Sequence, residues 1–282
     1  MTDIRPTIDT PAASGPVPAP GVNPFARLEA EVVLVTGGAQ GIGAAVRDSF
    51  AAVGAKVVAA DLSFSDEGPA RHDGEEFWRA HLDVTDEAGV EALADAVAAD
   101  PGLGTIGVLV NCAGSSTMAR VVDTTADQWE FNLGLNARGS FLTARAVARR
   151  LEAAGRPGRI ILVASQAGKN GYRGMGAYVA SKHAVLGLTK TLAIEEAPYG
   201  ITVNAVCPGI IETAMKWRER VEGGELRGMS AADVEAEDNS QVPLGRTGQP
   251  ADVAGVCLFL ASDLASYMTG QGINVTGGMT MN

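Results

Sequence analysis

The sequence predicts an α/β protein built on a doubly wound parallel sheet, with helices on both faces. Three observations predict it. Short β-branched runs alternate with alanine-rich, helix-competent stretches from Leu28 onward. Those runs are apolar along their whole length, as strands covered on both faces are. The first run leads straight into a glycine-rich turn, Thr36-Gly37-Gly38-Ala39-Gln40-Gly41-Ile42-Gly43, which opens a helix.

Taken in order, residues 32–35 read as a buried strand and 41–53 as the helix after the glycine turn. Residues 56–60 are a second strand and 77–82 a weaker third. A helix follows over 86–99, capped by Thr85 or Asp86. Residues 108–110 form the fourth strand, and a long helical region lies around 136–151. The fifth strand is 159–163, a long helix covers 176–196, the sixth strand is 201–206, and 273–275 closes the series. Repeated β-α-β units make the sheet parallel. No second domain or solenoid repeat interrupts residues 28–282. The irregular part is about 212–242, polar and glycine-bearing, with helix-competent stretches at 215–221 and 231–238. It follows a strand end, where open α/β sheets bind ligands, so it reads as a mobile lid over substrate. Residues 1–27 read as a Pro/Ala-rich flexible arm. Asp3, Asp9 and the lack of an apolar segment speak against a signal or transit peptide there.

The balance of 22 basic and 33 acidic residues, a formal charge of -11, repels nucleic-acid backbone and anionic lipid. There is no basic stripe and no apolar run long enough to span a bilayer. Cys112, Cys207 and Cys257 are far apart and odd in number, which suits reduced thiols in a cytoplasmic protein. Neither they nor His72, His81 and His183 have metal-ligand spacing, so no metal is expected.

The glycine turn sits between a strand and a helix, the context in which Gly37, Gly41 and Gly43 let backbone approach a pyrophosphate. Gln40 and Ile42 lie within the same loop, and the helix N-terminus adds amide donors. Asp61 ends the second strand, beside Leu62, where this Rossmann-type fold meets the adenosine ribose. A carboxylate there accepts the 2′- and 3′-hydroxyls and repels a 2′-phosphate, which selects NAD over NADP. Arg71 is the one basic residue near enough in sequence to oppose that choice. Asp83 ends the third strand, with an adenine contact and a helix-cap role both open to it, and Val84 is placed near the ring. Asn111-Cys112-Ala113-Gly114 ends the fourth strand, where Ala113 and Gly114 leave room for cofactor.

Tyr178-Val179-Ala180-Ser181-Lys182 places a phenol and an ammonium one helical turn apart, on one face. A nearby positive charge favours phenolate. Bringing a tyrosine from ~10 to neutrality, where a general acid/base works best, takes roughly 4 kcal/mol of differential interaction. Tyr172 lacks such a partner, since Gly176 stands four residues on, and is placed in the substrate pocket.

Together the glycine loop, Asp61, Asp83, Asn111-Cys112-Ala113-Gly114, Asn136, Ser165, Tyr178-x-x-x-Lys182 and Pro208-Gly209-Ile210-Ile211-Glu212-Thr213 resemble the short-chain dehydrogenases/reductases. The resemblance runs from Leu28 to Gly278, and departs at Cys112, where that family usually has a second asparagine. It implies that Tyr178 is the general acid/base and that Lys182 lowers its pKa and holds the nicotinamide ribose. Ser165 would position the substrate oxygen, and Asn136 would support a water linking Lys182 to solvent. Pro208, Gly209, Ile211 and Thr213 would hold the nicotinamide carboxamide. The implied reaction is NAD-dependent oxidation of a secondary alcohol by a homotetramer. The apolar run 253–264 and the Met279/Met281 tail suit either a subunit interface or a core.

The C-terminal elements and the length of the 212–242 segment are similar to those of sugar-alcohol and vicinal-diol dehydrogenases. A tetritol, pentitol or hexitol is the first expectation. Glu212, Lys216, Arg218 and Asn239 are candidates to meet its hydroxyls. Acetoin/butanediol interconversion and 3-oxoacyl thioester reduction are the alternatives. A non-catalytic NAD-sensing scaffold is opposed by the presence of Ser165, Tyr178, Lys182 and Asn136 together.

Overall fold

The computed structural model describes residues 23–65, 68–72 and 74–282. Seven strands form one sheet: β1 (Val32–Thr36), β2 (Lys56–Asp61), β3 (Phe77–His81), β4 (Val108–Asn111), β5 (Arg159–Val163), β6 (Thr202–Pro208) and β7 (Gly272–Val275). Their order is β3-β2-β1-β4-β5-β6-β7, and every pairing is parallel. Alternation within each strand splits the core in two. Val32, Leu34, Leu109, Ile160 and Leu162 face one layer; Val33, Val35, Val108, Val110, Ile161 and Val163 face the other. The strands therefore read as unbroken apolar runs because both faces are covered.

The first layer is closed by α2 (Glu87–Ala99), α4 (Gly139–Ala153) and α5 (Gly176–Glu196), through Val90, Leu93, Leu142, Leu151 and Val185. The second is closed by α1 (Gly41–Ala52) and α8 (Pro250–Ala261), through Val46, Phe50, Val253, Cys257 and Leu260. The apolar run at 253–264 is thus largely core. A short α3 (Ala126–Asn132) precedes α4. The 212–242 segment folds as two helices, α6 (Ala214–Glu225) and α7 (Ala231–Gln241).

Two boundaries differ from the sequence reading. Of the proposed arm, residues 1–22 lie outside the described residues. Residues 23–27 are described, and Phe25 packs on the second core layer while Leu28 is buried in it. Arg27 donates to the Ala261 carbonyl at 3.2 Å. The folded body therefore begins before Leu28, because two apolar side chains cover the base of that layer. The second difference is at Asn136. It lies not in an ordinary α-helix but in a π-helical turn, Leu133–Arg138, which joins α3 to α4. Such turns rotate one residue out of helical phase, commonly at functional sites.

Candidate active site

The strand order reverses between β1 and β4, which opens a crevice at the carboxyl ends of the strands. The glycine loop lines one side of it. Gly37 has φ +65°, and a Cβ there would sit 2.8 Å from the Ala113 amide nitrogen. A Cβ on Gly43 would run into the Gly37 carbonyl oxygen. Gln40 precedes α1 in extended conformation and makes no side-chain cap, so the first amides of α1 are left to a ligand. This cradle, which any side chain would fill, fits a dinucleotide pyrophosphate. Gly43→Ala is accordingly expected to weaken nicotinamide-dinucleotide binding by at least about tenfold, and to lower the melting temperature because the methyl meets backbone. Titrating the quenching of Trp fluorescence by NADH checks it; unchanged affinity would remove the loop from the cofactor site.

Asp61 stands at the end of β2. Its Oδ2 accepts from the Ala39 amide at 3.1 Å, and its Oδ1 from the Ser63 amide and hydroxyl at 2.9 and 2.7 Å. Leu62 beside it is largely exposed. Arg71 is held elsewhere, stacked 5.1 Å over Trp78 and bonded to the Glu75 carbonyl. Asp83 folds a local turn, its Oδ1 accepting from both the amide and the hydroxyl of Thr85, while Asp86 caps α2. The Val84 side chain is in the core against Gly139, not beside a cleft. Asn111 is also turned inward. Its Oδ1 accepts from Thr36 and Thr143, and its Nδ2 donates to Ser140, so it ties β1, β4 and α4 together.

A cavity of about 780 Å³ continues the crevice. Its wall includes Ile42, Gly114, Ser165, Tyr172, Tyr178, Lys182, Pro208, Gly209, Ile211 and Thr213. Gly37, Gln40, Gly41, Gly43, Asp61, Leu62, Asp83, Val84, Asn111 and Ala113 do not line it. Tyr178 and Lys182 lie in the first two turns of α5, and Ser165 follows β5. Lys182 Nζ donates to the Val163 carbonyl at 2.9 Å and lies 5.7 Å from the centre of the Tyr178 ring. A Cβ on Gly114 would approach that Nζ to 3.5 Å, so glycine keeps the space open. Asn136 is wholly buried. Its Nδ2 donates to the Ser115 carbonyl and to Ser181 Oγ at 2.9 and 3.0 Å, and its Oδ1 accepts from the Ser115 amide at 3.1 Å. Ser181 in turn donates to the Tyr178 carbonyl at 2.7 Å. Helical spacing alone turns Ser181 away from the site, yet it is the strut that joins Asn136 to the tyrosine-bearing turn.

The groups around the cavity act on the Tyr178 phenol. Burial and the charge of Glu219 push it above the usual tyrosine range, and a hydrogen bond with Ser165 opposes them. Lys182 is itself pushed down to about 8 by burial, with nearby Cys112 and Cys207 opposing.

The lid candidates also find partners inside the protein. Arg220, 1% exposed, donates to Glu212 at 2.7 and 2.9 Å, to Asp238 at 2.9 Å and to Glu235 at 3.3 Å. Thr247 donates to Glu212 at 2.6 Å, and Asn239 accepts from the Thr247 amide at 3.3 Å. Lys216 pairs with Asp238 at 3.1 Å. Arg218 donates to the carbonyl and hydroxyl of Ser116 at 2.9 and 3.0 Å. Three of the four residues expected to meet substrate hydroxyls, Glu212, Arg218 and Asn239, therefore fasten α6 and α7 down instead. Lys216 alone lines the cavity. The carboxylates that the sequence reading missed there are Glu219, Glu237 and Asp238.

Among the described residues no group of His, Cys, Asp and Glu could hold a metal ion, and no helix is long and apolar enough to cross a membrane. All three cysteines are free.

A desolvated phenol beside a serine hydroxyl and a lysine, at the end of a dinucleotide crevice, can exchange a proton with a carbinol held over a hydride acceptor. Comparison with known proteins agrees with that chemistry. The family model described as enoyl-(acyl carrier protein) reductase matches residues 37–280. The chain is 36% identical to the galactitol 2-dehydrogenase of Agrobacterium fabrum, over 91% of this chain and 100% of that one. It is 36% identical to the 3-oxoacyl-[acyl-carrier-protein] reductase of Salmonella typhimurium, over 90% and 99%. The solved sorbitol-6-phosphate 2-dehydrogenase of Erwinia amylovora superposes with a TM-score of 0.81 at 35% identity, covering 89% of this chain and 100% of that one. From its strand order, its catalytic geometry and these matches, the chain belongs to the short-chain dehydrogenase/reductase family of oxidoreductases.

Proposed function

We propose that the protein oxidises a secondary hydroxyl of a sugar alcohol to a ketone, with NAD as acceptor. The observation that carries the reaction is the set of Ser165, Tyr178 and Lys182 on one cavity wall, with Asn136 buried beneath. Bound NAD would supply the hydride acceptor at its nicotinamide C4 and a positively charged ring beside the phenol. The glycine loop and Asp61 would hold its adenosine half, and Pro208, Gly209, Ile211 and Thr213 would border its nicotinamide half. The chain's own part is the proton. Ser165 fixes the substrate oxygen, Tyr178 oxygen takes its proton, and Lys182 stands behind as the route onward to solvent.

Asp61 supports NAD, because its carboxylate occupies the position a 2′-phosphate would need. Asp61→Ala is expected to lower kcat/KM with NAD by about tenfold or more and to raise that with NADP. Measuring both ratios checks it; a wild-type enzyme that prefers NADP would sink the assignment. The polyol and hexitol relatives support the substrate class. The acyl-carrier-protein relative favours a second reading, reduction of a 3-oxoacyl thioester. Assaying reduced-nicotinamide formation on four- to six-carbon polyols and butanediols, and its consumption on thioesters, separates the two.

The proposal includes a cytoplasmic homotetramer. Trp129, Phe131 and Phe141 on α3 and α4 are more than two-fifths exposed, and β7 is a sheet edge paired with β6 alone among the described residues. Light scattering on the eluting protein tests the assembly.

A further inference from the structure

The cavity wall carries three carboxylates: Glu219, Glu237 and Asp238. Two are neutralised inside the protein. Arg227 meets Glu237 at 2.6 Å, and Asp238 pairs with both Lys216 and Arg220 at 3.1 and 2.9 Å. Glu219 has no ion pair among the described residues. Its single protein hydrogen bond there comes from Ser116 Oγ, which donates to Oε1 at 2.6 Å. The other oxygen is without a protein partner. Ser116 is 3% exposed and is held in turn by Arg218 at 3.0 Å, so the carboxylate is aimed rather than adrift. The next residue, Arg220, anchors α6 in its buried cluster and fixes the height of Glu219 over the cavity. An aimed, unpaired carboxylate near a catalytic phenol is an acceptor waiting for a donor. It repels anions and gains nothing from an aliphatic chain.

We propose that Glu219 determines specificity by accepting the hydrogen of a second hydroxyl of the substrate, so that the lid selects diols and polyols over simple secondary alcohols. This rests on the alcohol-oxidising reading above. It also explains why the polar residues around it are occupied: a recognition group works only if its neighbours do not quench it. The charge of Glu219 opposes ionisation of Tyr178, and an arriving hydroxyl donor disperses that charge.

The test compares 2,3-butanediol with 2-butanol, at fixed NAD, in the wild type, Glu219→Gln and Glu219→Asp. With Glu219→Gln, kcat/KM for the diol is expected to fall about 10- to 100-fold, the worth of one charge-assisted hydrogen bond. On the pH plateau of each protein, that for the mono-alcohol should stay within about threefold. The acid limb of the pH–rate profile should move to lower pH on both substrates, a change that a merely structural role would not cause. Glu219→Asp keeps the charge and shortens the reach, so it should lose diol preference without moving that limb. If the diol to mono-alcohol ratio is the same in all three proteins, this inference is overturned and alcohol oxidation stands. If the wild type oxidises no alcohol, the reading beneath it falls as well.

Discussion

Replacing Tyr178 by phenylalanine is expected to lower kcat for alcohol oxidation by about 10²- to 10⁴-fold. The ring packs into the cavity wall and its backbone carbonyl anchors Ser181, and phenylalanine keeps both features. What disappears is the oxygen that takes the proton. The dissociation constant for NADH and the melting temperature should therefore hold while turnover collapses. Steady-state rates with a fluorescence titration on the same sample check this, and full activity in Tyr178→Phe would sink the mechanism. The pH dependence follows from the same oxygen. Alcohol oxidation needs the phenolate, and burial with Glu219 holds the phenol above its ordinary range. Oxidation is therefore expected to accelerate as pH rises toward the alkaline side. Ketone reduction needs the protonated phenol and should persist at neutral pH. A rate that is flat in pH in both directions would place the proton transfer elsewhere.

The second large effect is expected at Arg220. Arg220→Ala leaves Glu212 without its cation and Asp238 with Lys216 alone. Breaking a buried pair on one side costs about 3–5 kcal/mol. Part of that is returned by water, because Glu212 and Glu235 are partly exposed, so about 2–3 kcal/mol is the expected loss. The damage should be local. α6 and α7 would loosen from the Glu212 hinge, KM for substrate should rise at least about tenfold, and protease should cut within 212–242 sooner. Equal protease resistance in wild type and variant would mean that the lid is held by other contacts. Acid should imitate the substitution. The Arg220 hydrogen bond holds Glu212 below the usual carboxylate range. A depressed carboxylate contributes stability above its unfolded pKa and loses it as pH falls through the folded one. The lid should thus loosen only at pH below the ordinary glutamate range.

Much of this protein is readable from one dimension. Strand positions, the parallel sheet, the glycine cradle, Asp61 and the Tyr178–Lys182 pair follow from patterns within a few residues, whereas Ser165 is marked by the family resemblance. Side-chain alternation and helical spacing are local geometry, and a strand-turn-helix junction carries its own conformational needs wherever it stands. Partnership is different. Ser116 and Glu219 are 103 residues apart and meet at 2.6 Å only because the loop after β4 reaches α6. Arg220 finds Glu212 and Asp238 through the turn between two lid helices. Asn136 faces Ser115 and Ser181 because a π-helical turn rotates it there, and nothing in its immediate sequence announces that turn. Asn111 and Val84 sit at strand ends like cofactor ligands, yet the packing of α4 draws their side chains into the body. Spacing placed an ammonium beside a phenol, but the pKa that results depends on desolvation and on Glu219, which are properties of the assembled cavity. The local backbone therefore chose the fold and the reactive residues. Long-range packing alone decided which charges are quenched, which are free, and so what the cavity can recognise.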